Sequence, residues 1–192
     1  MNAIILAAGY GTRLKPITDK TPKCLVKIQD KVLLNLWLEK LSLIGVNEIL
    51  INTHYLADQV ESFVKNSKFS KEIKIVREKR LLGTAGTLNQ NIDFFGNEDG
   101  MLLHADNYCV EDLSSLMNAH KSRPKECLMT MLTFKSSNPS YCGIVSLNDE
   151  GIVIDFNEKK KGDFGNIANG AIYILSKDLI KIIKKDYSYT KD

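Results

Sequence analysis

Long apolar runs are missing from this 192-residue chain, and no stretch approaches the length of a membrane-spanning helix. The apolar start, Ile4-Ile5-Leu6-Ala7-Ala8, is too short and has no basic lead-in, so it does not read as a secretion signal. Cysteine is sparse and scattered: Cys24, Cys109, Cys127 and Cys142 form no Cys-x-x-Cys pair and have no histidines at metal spacing. That excludes a zinc ribbon and argues for reduced thiols and a cytoplasmic protein, not a disulfide scaffold. Charge of one sign is also lacking, since a net charge of +3 is too small to call for nucleic acid. Repeats and low-complexity segments are absent. His54, His104 and His120 sit in no triad context with serine or cysteine, and read as structural. Trp37, inside a leucine-rich stretch, reads as core and not as a stacking platform.

Alternation of short apolar strands with amphipathic helices is present through the first two-thirds. Strands are expected at Ala3 to Ala8, Glu48 to Asn52, Ile73 to Val76 and Met101 to Ala105. Helices are expected at Leu33 to Ile44, Ala57 to Lys65, near Thr87 to Ile92 and at Glu111 to Lys121. That rhythm predicts an α/β fold with a doubly wound, mostly parallel sheet in a single domain spanning 1–192. From Cys127 the pattern turns to strands: Cys127 to Phe134, Gly143 to Leu147, Ile152 to Asn157 and Ala168 to Leu175. Asn148 to Gly151 is a hairpin-turn candidate. Ser176 caps a last helix, Lys177 to Lys185, ahead of a polar tail.

The richest stretch follows the first strand: Leu6-Ala7-Ala8-Gly9-Tyr10-Gly11-Thr12-Arg13-Leu14-Lys15-Pro16, then Thr21-Pro22-Lys23. Gly9 and Gly11 leave backbone N–H groups uncovered for an anion, and Arg13, Lys15 and Lys23 add cations beside them. Such a corner suits a nucleoside triphosphate. It is not a Walker loop, whose spacing is absent, nor the dinucleotide fingerprint, because Leu14 stands where a third glycine would be. Asp106 ends an apolar strand, where open α/β sheets place ligands; a carboxylate there can hold a hard divalent cation, and a helix cap or turn aspartate looks the same. Leu82-Gly83-Thr84-Ala85-Gly86-Thr87 offers small residues against which a base and ribose can lie, and equally reads as a plain helix start. Glu78 is a candidate for the same pocket or a solvated charge beside Lys79 and Arg80.

Taken together, these motifs resemble the sugar-1-phosphate nucleotidylyltransferases, and the Leu-Gly-Thr-Ala-Gly form is similar to their guanylyltransferase members acting on mannose 1-phosphate. The resemblance runs from residue 3 to 175. It implies a Rossmann-like, doubly wound mixed sheet of the nucleotide-diphospho-sugar transferase type. The implied reaction moves a nucleotidyl group from an NTP, with GTP favoured over UTP, dTTP or CTP, to a mannose- or heptose-like sugar 1-phosphate. It implies Arg13 and Lys23 as catalytic cations and Asp106 as the ligand of a Mg²⁺ cofactor. Nucleotide contacts fall on Leu6, Ala7, Ala8, Gly9, Gly11, Thr12, Glu78, Gly83, Thr84, Ala85 and Gly86. Sugar-phosphate contacts fall on Asn107, Gly143, Glu158, Lys159 and Asn169. The partners are then the two substrates, without nucleic acid or membrane; the oligomeric state is left open, homo-oligomer included.

Three departures stand out. Cys24 and Lys160 replace prolines that usually follow Lys23 and the Glu158-Lys159 pair, and Asn169-Gly170-Ala171 inverts the commoner Asn-Ala-Gly order. The family also carries a second metal-binding aspartate beyond its last strand, in a C-terminal segment expected to be lacking here. That leaves a second reading, a catalytically silent nucleotide-binding regulatory subunit. Glycosyl transfer is disfavoured, since His104-Ala105-Asp106 lacks a carboxylate-x-carboxylate motif.

Overall fold

The computed structural model of the chain describes residues 1–158, 162 and 164–189. In chain order the first half contains β1 (Asn2–Leu6), β2 (Lys27–Ile28), β3 (Lys31–Val32), α1 (Leu33–Leu43), β4 (Ile49–Thr53), α2 (Ala57–Lys65), β5 (Ile73–Arg77), α3 (Gly83–Gln90) and β6 (Gly100–His104). The second half contains α4 (Leu113–Ser122), β7 (Met129–Lys135), β8 (Gly143–Leu147), β9 (Val153–Glu158), β10 (Ile167–Leu175) and α5 (Lys177–Tyr189).

Eight strands form one mixed sheet in the order β5-β4-β1-β6-β10-β8-β9, with β7 paired to β10. The β5, β4, β1 and β6 strands run parallel. Beyond β6 every pairing is antiparallel. The sheet is therefore doubly wound in its first half and carries the strand-rich extension that the sequence pattern anticipated. β2 and β3, two residues each, form a separate small ribbon that was not foreseen, being too short to show a period.

Strand period and burial explain the layering. In β1, Ala3 and Ile5 point to the face covered by Leu34, Trp37 and Leu38 of α1, Val60 and Val64 of α2, and Leu113 and Leu116 of α4. Ile4 points to the opposite face, where Ile92, Phe95 and Ile180 of α5 pack with Leu50 and Leu102. Burial on both faces is why these strands read as unbroken apolar runs. Trp37 is 1% exposed, as expected of core, and its indole N–H donates to Asn107 O at 2.9 Å.

Several boundaries shift for local reasons. β1 ends at Leu6, not Ala8, because Ala7 N–H turns aside to the Asn52 side chain. α4 starts at Leu113, not Glu111, with the Asp112 carboxylate accepting the Ser114 N–H as its cap. α3 starts at Gly83, ahead of the expected Thr87, so the small-residue segment is a helical turn and not a loop. The 148–151 hairpin turn forms as expected, Asn148 Oδ1 accepting from the N–H groups of Glu150 and Ile152. Among the described residues no helix is long and apolar enough to cross a membrane.

Candidate active site

A cleft of about 270 Å³ opens at the carboxyl ends of β1, β4 and β6, where a doubly wound sheet presents its ligand site. One wall is the loop after β1: Leu6, Ala7, Ala8, Gly9, Gly11, Thr12 and Arg13. The other is Leu81 with Gly83, Thr84 and Thr87 of α3. Asn52, His104, Ala105 and Asp106 form the floor, and Lys23 and Cys24 close one end. Of the nucleotide contacts expected from the sequence, Ala85 and Gly86 do not line this space.

The loop has a defined shape. Gly11 sits at φ +66°, and a Cβ there would lie 2.8 Å from Thr18 Cγ2, so only glycine fits without strain. Thr18, fully buried, donates its hydroxyl to Gly11 O at 2.8 Å and fixes the return of the chain. Lys23 follows Pro22 into a tight turn closed by Leu25 N–H to Pro22 O at 2.8 Å. That turn brings the Lys23 ammonium onto the Asp106 carboxylate as an ion pair, across 83 residues of sequence. The neighbouring Cys24 thiol, buried and beside Asp106, is pushed up to about 12, which leaves it protonated and inert.

Glu78 departs from both sequence expectations. It is 5% exposed, so it is no solvated charge, and it does not line the cleft. Its carboxylate accepts from Asn52 Nδ2 at 2.8 Å, from the Thr87 hydroxyl and from Leu82 N–H at 3.2 Å. Asn52 in turn accepts Ala7 N–H at 2.7 Å. One buried carboxylate thus ties the β1 loop to the first turn of α3, which also explains why a glycine-rich segment folds as helix from Gly83.

A second, wider cavity of about 1180 Å³ adjoins the first and is walled by the 107–112 loop, α4, β7, β8, β9 and β10. Asn107, Gly143, Glu158 and Asn169 all line it. Lys159 lies outside the described residues. Asn107 Nδ2 donates to Gly170 O at 2.7 Å, clipping the loop after β6 onto β10. Asn169 accepts Ala171 N–H at 2.8 Å and donates to the Tyr173 hydroxyl at 2.7 Å, within a register shift of β10 against β7. Gly143 lies directly beneath Glu158 and Phe156, with no room for a side chain.

Three residues border both cavities: Arg13, Thr84 and His104. His104 thus faces both cavities, whereas His54 bonds Glu78 O and buried His120 bonds Thr130. Burial depresses the His104 pKa, opposed by the Asp106 carboxylate and aided by the Lys23 charge. Asn52 and His104 are cleft residues given no role from the motifs, and so is Thr87, although it closes the Leu82–Thr87 segment. Asn52 and His104 stand at the ends of β4 and β6, the signal by which the carboxyl-end rule finds them.

Among the described residues no group of three or more His, Cys, Asp or Glu side chains could cage a metal. Among the described residues Asp106 is the one carboxylate lining the narrow cleft. A single carboxylate completed by phosphate oxygens and water is how Mg²⁺ is usually held, so this donor set fits that ion.

The family model described as nucleotidyl transferase matches residues 2–192. A D-glycero-alpha-D-manno-heptose 1-phosphate guanylyltransferase of Campylobacter jejuni is 34% identical over 180 residues, 93% of this chain and 77% of that protein. A mannose-1-phosphate guanylyltransferase catalytic subunit beta of Drosophila pseudoobscura is 33% identical over 186 residues, 95% of this chain and 50% of that protein. Among solved structures, HddC from Yersinia pseudotuberculosis complexed with GMP-PN aligns with a TM-score of 0.75 at 26% identity, over 95% of this chain and 78% of that one. The chain spans about half the length of the mannose-1-phosphate guanylyltransferases it matches.

Proposed function

The chain belongs to the nucleotidyl transferase family, and from that premise we propose that it moves a nucleotidyl group from GTP to a mannose- or heptose-like sugar 1-phosphate, releasing pyrophosphate. The observation that carries this reading is that the Lys23–Asp106 ion pair and Arg13 line one narrow cleft, and that Arg13 also borders the wide cavity beside it. The narrow cleft suits a nucleotide and the wide one a phosphorylated sugar. The guanylyltransferase names of the relatives favour GTP and a manno-configured acceptor.

Phosphate monoesters are already ionised near neutral pH, so the acceptor oxygen needs no general base to attack the α-phosphorus in line. The barrier comes from bringing two polyanions together, and cations must offset it. The amides of the Gly9–Gly11 loop and the Arg13 side chain bind the triphosphate. Lys23, released from Asp106 when phosphates enter, holds charge that develops at the α-phosphorus. Asp106 would hold Mg²⁺, which when bound supplies further neutralisation of phosphate charge. Asn107 and Asn169 shape the acceptor wall by holding Gly170 and Ala171 in place.

Pyrophosphate release from a panel of GTP, UTP, dTTP and CTP with mannose, manno-heptose, glucose and glucosamine 1-phosphates, with and without Mg²⁺, tests this directly. GTP with a manno-configured acceptor is expected to lead, only with metal present. Nucleotide binding without release from any pair would make the chain a nucleotide-binding regulator instead.

A further inference from the structure

We infer that Tyr10, His54 and Tyr55 form a clasp outside the narrow cleft that holds the β1 loop in shape for a polyphosphate. They are then positioning residues for the nucleotide, a role that rests on the nucleotidyl-transfer reading and deepens it.

Tyr10 is the one residue between Gly9 and Gly11, both of which line the cleft, and it does not line the cleft itself. Its ring instead lies edge-on to His54, with centroids 5.7 Å apart, and tilted against Tyr55 at 5.5 Å. The Tyr10 hydroxyl is 3.2 Å from His54 Nε2, and His54 Nδ1 is 2.9 Å from Glu78 O. A carbonyl only accepts, so Nδ1 carries the hydrogen, and in that tautomer Nε2 accepts from the Tyr10 O–H. Tyr55 adds two ties. Its N–H reaches Ala8 O at 3.5 Å, and its hydroxyl donates to Thr18 O at 2.9 Å. Thr18 in turn holds Gly11 O through its own hydroxyl.

The loop is thus gripped at Ala8, Tyr10 and Thr18 by two consecutive residues that follow β4. Glu78 serves both sides, its carboxylate bracing the cleft from behind and its carbonyl anchoring His54. Two glycines in three residues leave the segment many backbone conformations. A loop that must be ordered as its ligand arrives loses affinity, and one ordered beforehand does not. Tyr10 is 47% exposed and adds little to the core, so its contacts bear on the shape of the loop and not on the stability of the fold.

Titration of GTP, UTP and inorganic tripolyphosphate onto the protein with Mg²⁺ present, beside KM for both substrates and a thermal melt, tests the clasp. Tyr10→Phe keeps the ring and loses the bond to His54. It should raise Kd for all three ligands by about fivefold, the net effect of one hydrogen bond. The melting temperature and the KM for the sugar phosphate should stay where they are. His54→Asn keeps a donor for Glu78 O but loses the acceptor for Tyr10, and should match Tyr10→Phe. His54→Gln can place an oxygen where Nε2 stood and should regain most of the affinity. The double variant Tyr10→Phe/His54→Asn should bind no more weakly than either single one, because a single bond joins the two residues. Unchanged Kd, additive losses, a loss confined to GTP, or a weaker grip that tracks a lower melting temperature each overturns the clasp. If the wild type binds tripolyphosphate but releases no pyrophosphate, the transferase reading fails while the binding constants still decide the clasp. If it transfers and the variants bind as it does, the clasp alone falls; a wild type that binds none of the three ligands sinks both.

Discussion

The two ends of the site are built on different plans. At the nucleotide end a narrow cleft is cross-braced from behind, with Glu78, Asn52 and Thr87 binding its walls together through a closed, buried hydrogen-bond network. At the acceptor end a space more than four times larger is bounded by an antiparallel extension, with exposed aromatics such as Tyr108, Tyr141 and Phe156 on its walls. There the polar side chains Asn107 and Asn169 spend their hydrogen bonds on backbone shape. A braced slot fits one ligand shape, whereas a wide bay with backbone-shaped walls can change its occupant without disturbing the first half. On the proposed reading, the difference gives the parallel half the task of gripping the nucleotide and leaves acceptor choice to the extension.

The largest expected effect falls on the cation of the narrow cleft that pairs with Asp106. Lys23→Ala should lower turnover by ~100- to 1,000-fold, the scale of removing one group aimed at developing charge. Stability should scarcely change, because Lys23 and Asp106 are both partly exposed and an exposed pair contributes little. Steady-state rates with each substrate saturating, beside a thermal melt, check this. A rate within tenfold of wild type would remove Lys23 from the centre and break the proposed division at its seam.

Next in size is the brace itself. Glu78→Ala strips partners from Asn52 Nδ2, the Thr87 hydroxyl and Leu82 N–H, all behind the nucleotide wall. Leaving buried donors unsatisfied costs about 2–3 kcal/mol, a fall of roughly 5–10 °C in melting temperature for a chain of this size. The division of labour predicts a rise in KM for the nucleotide while KM for the sugar phosphate stays put. A parallel rise in both would show that the two ends are mechanically one.

Much of the narrow cleft was legible in the residues because its lining is nearly contiguous: strand, glycine turn and cations fall within Leu6 to Lys23, and local spacing reports local geometry. The parallel half was legible for a similar reason, β1, β4 and β6 being buried on both faces. What escaped notice is long-range. Nothing near Glu78 signals that it will be buried under Asn52 and Thr87, 26 residues before it and nine after. His104 looked structural until the sheet set it between two cavities. α3 begins early because the Glu78 carboxylate holds Leu82 and Thr87, against the weak helix propensity of its glycines. Among the expected acceptor residues, Gly143 and Asn169 do line the wide cavity, yet Asn169 stands at a register shift in β10 that no periodicity displays.

The smallest expected effect probes that shift. Ala171 holds φ at +52°, a left-handed conformation that costs an ordinary residue about 1 kcal/mol and glycine almost nothing. Its neighbour Gly170 is the reverse case: a Cβ there would lie 2.7 Å from Leu132 Cδ2 and 2.9 Å from Leu132 O, and the backbone atom cannot swing away. Ala171→Gly should therefore raise stability by about 1 kcal/mol, seen as a melting temperature roughly 2–4 °C higher. Gly170→Ala should lower it, and restoring the commoner order with both changes should do no better than Gly170→Ala plus the gain at Ala171. If the bay is shaped by this backbone, Ala171→Gly will also alter KM for the sugar phosphate and not for the nucleotide. A stabilised protein with both constants unchanged would confine the strain to the fold and leave acceptor choice to the side chains around it.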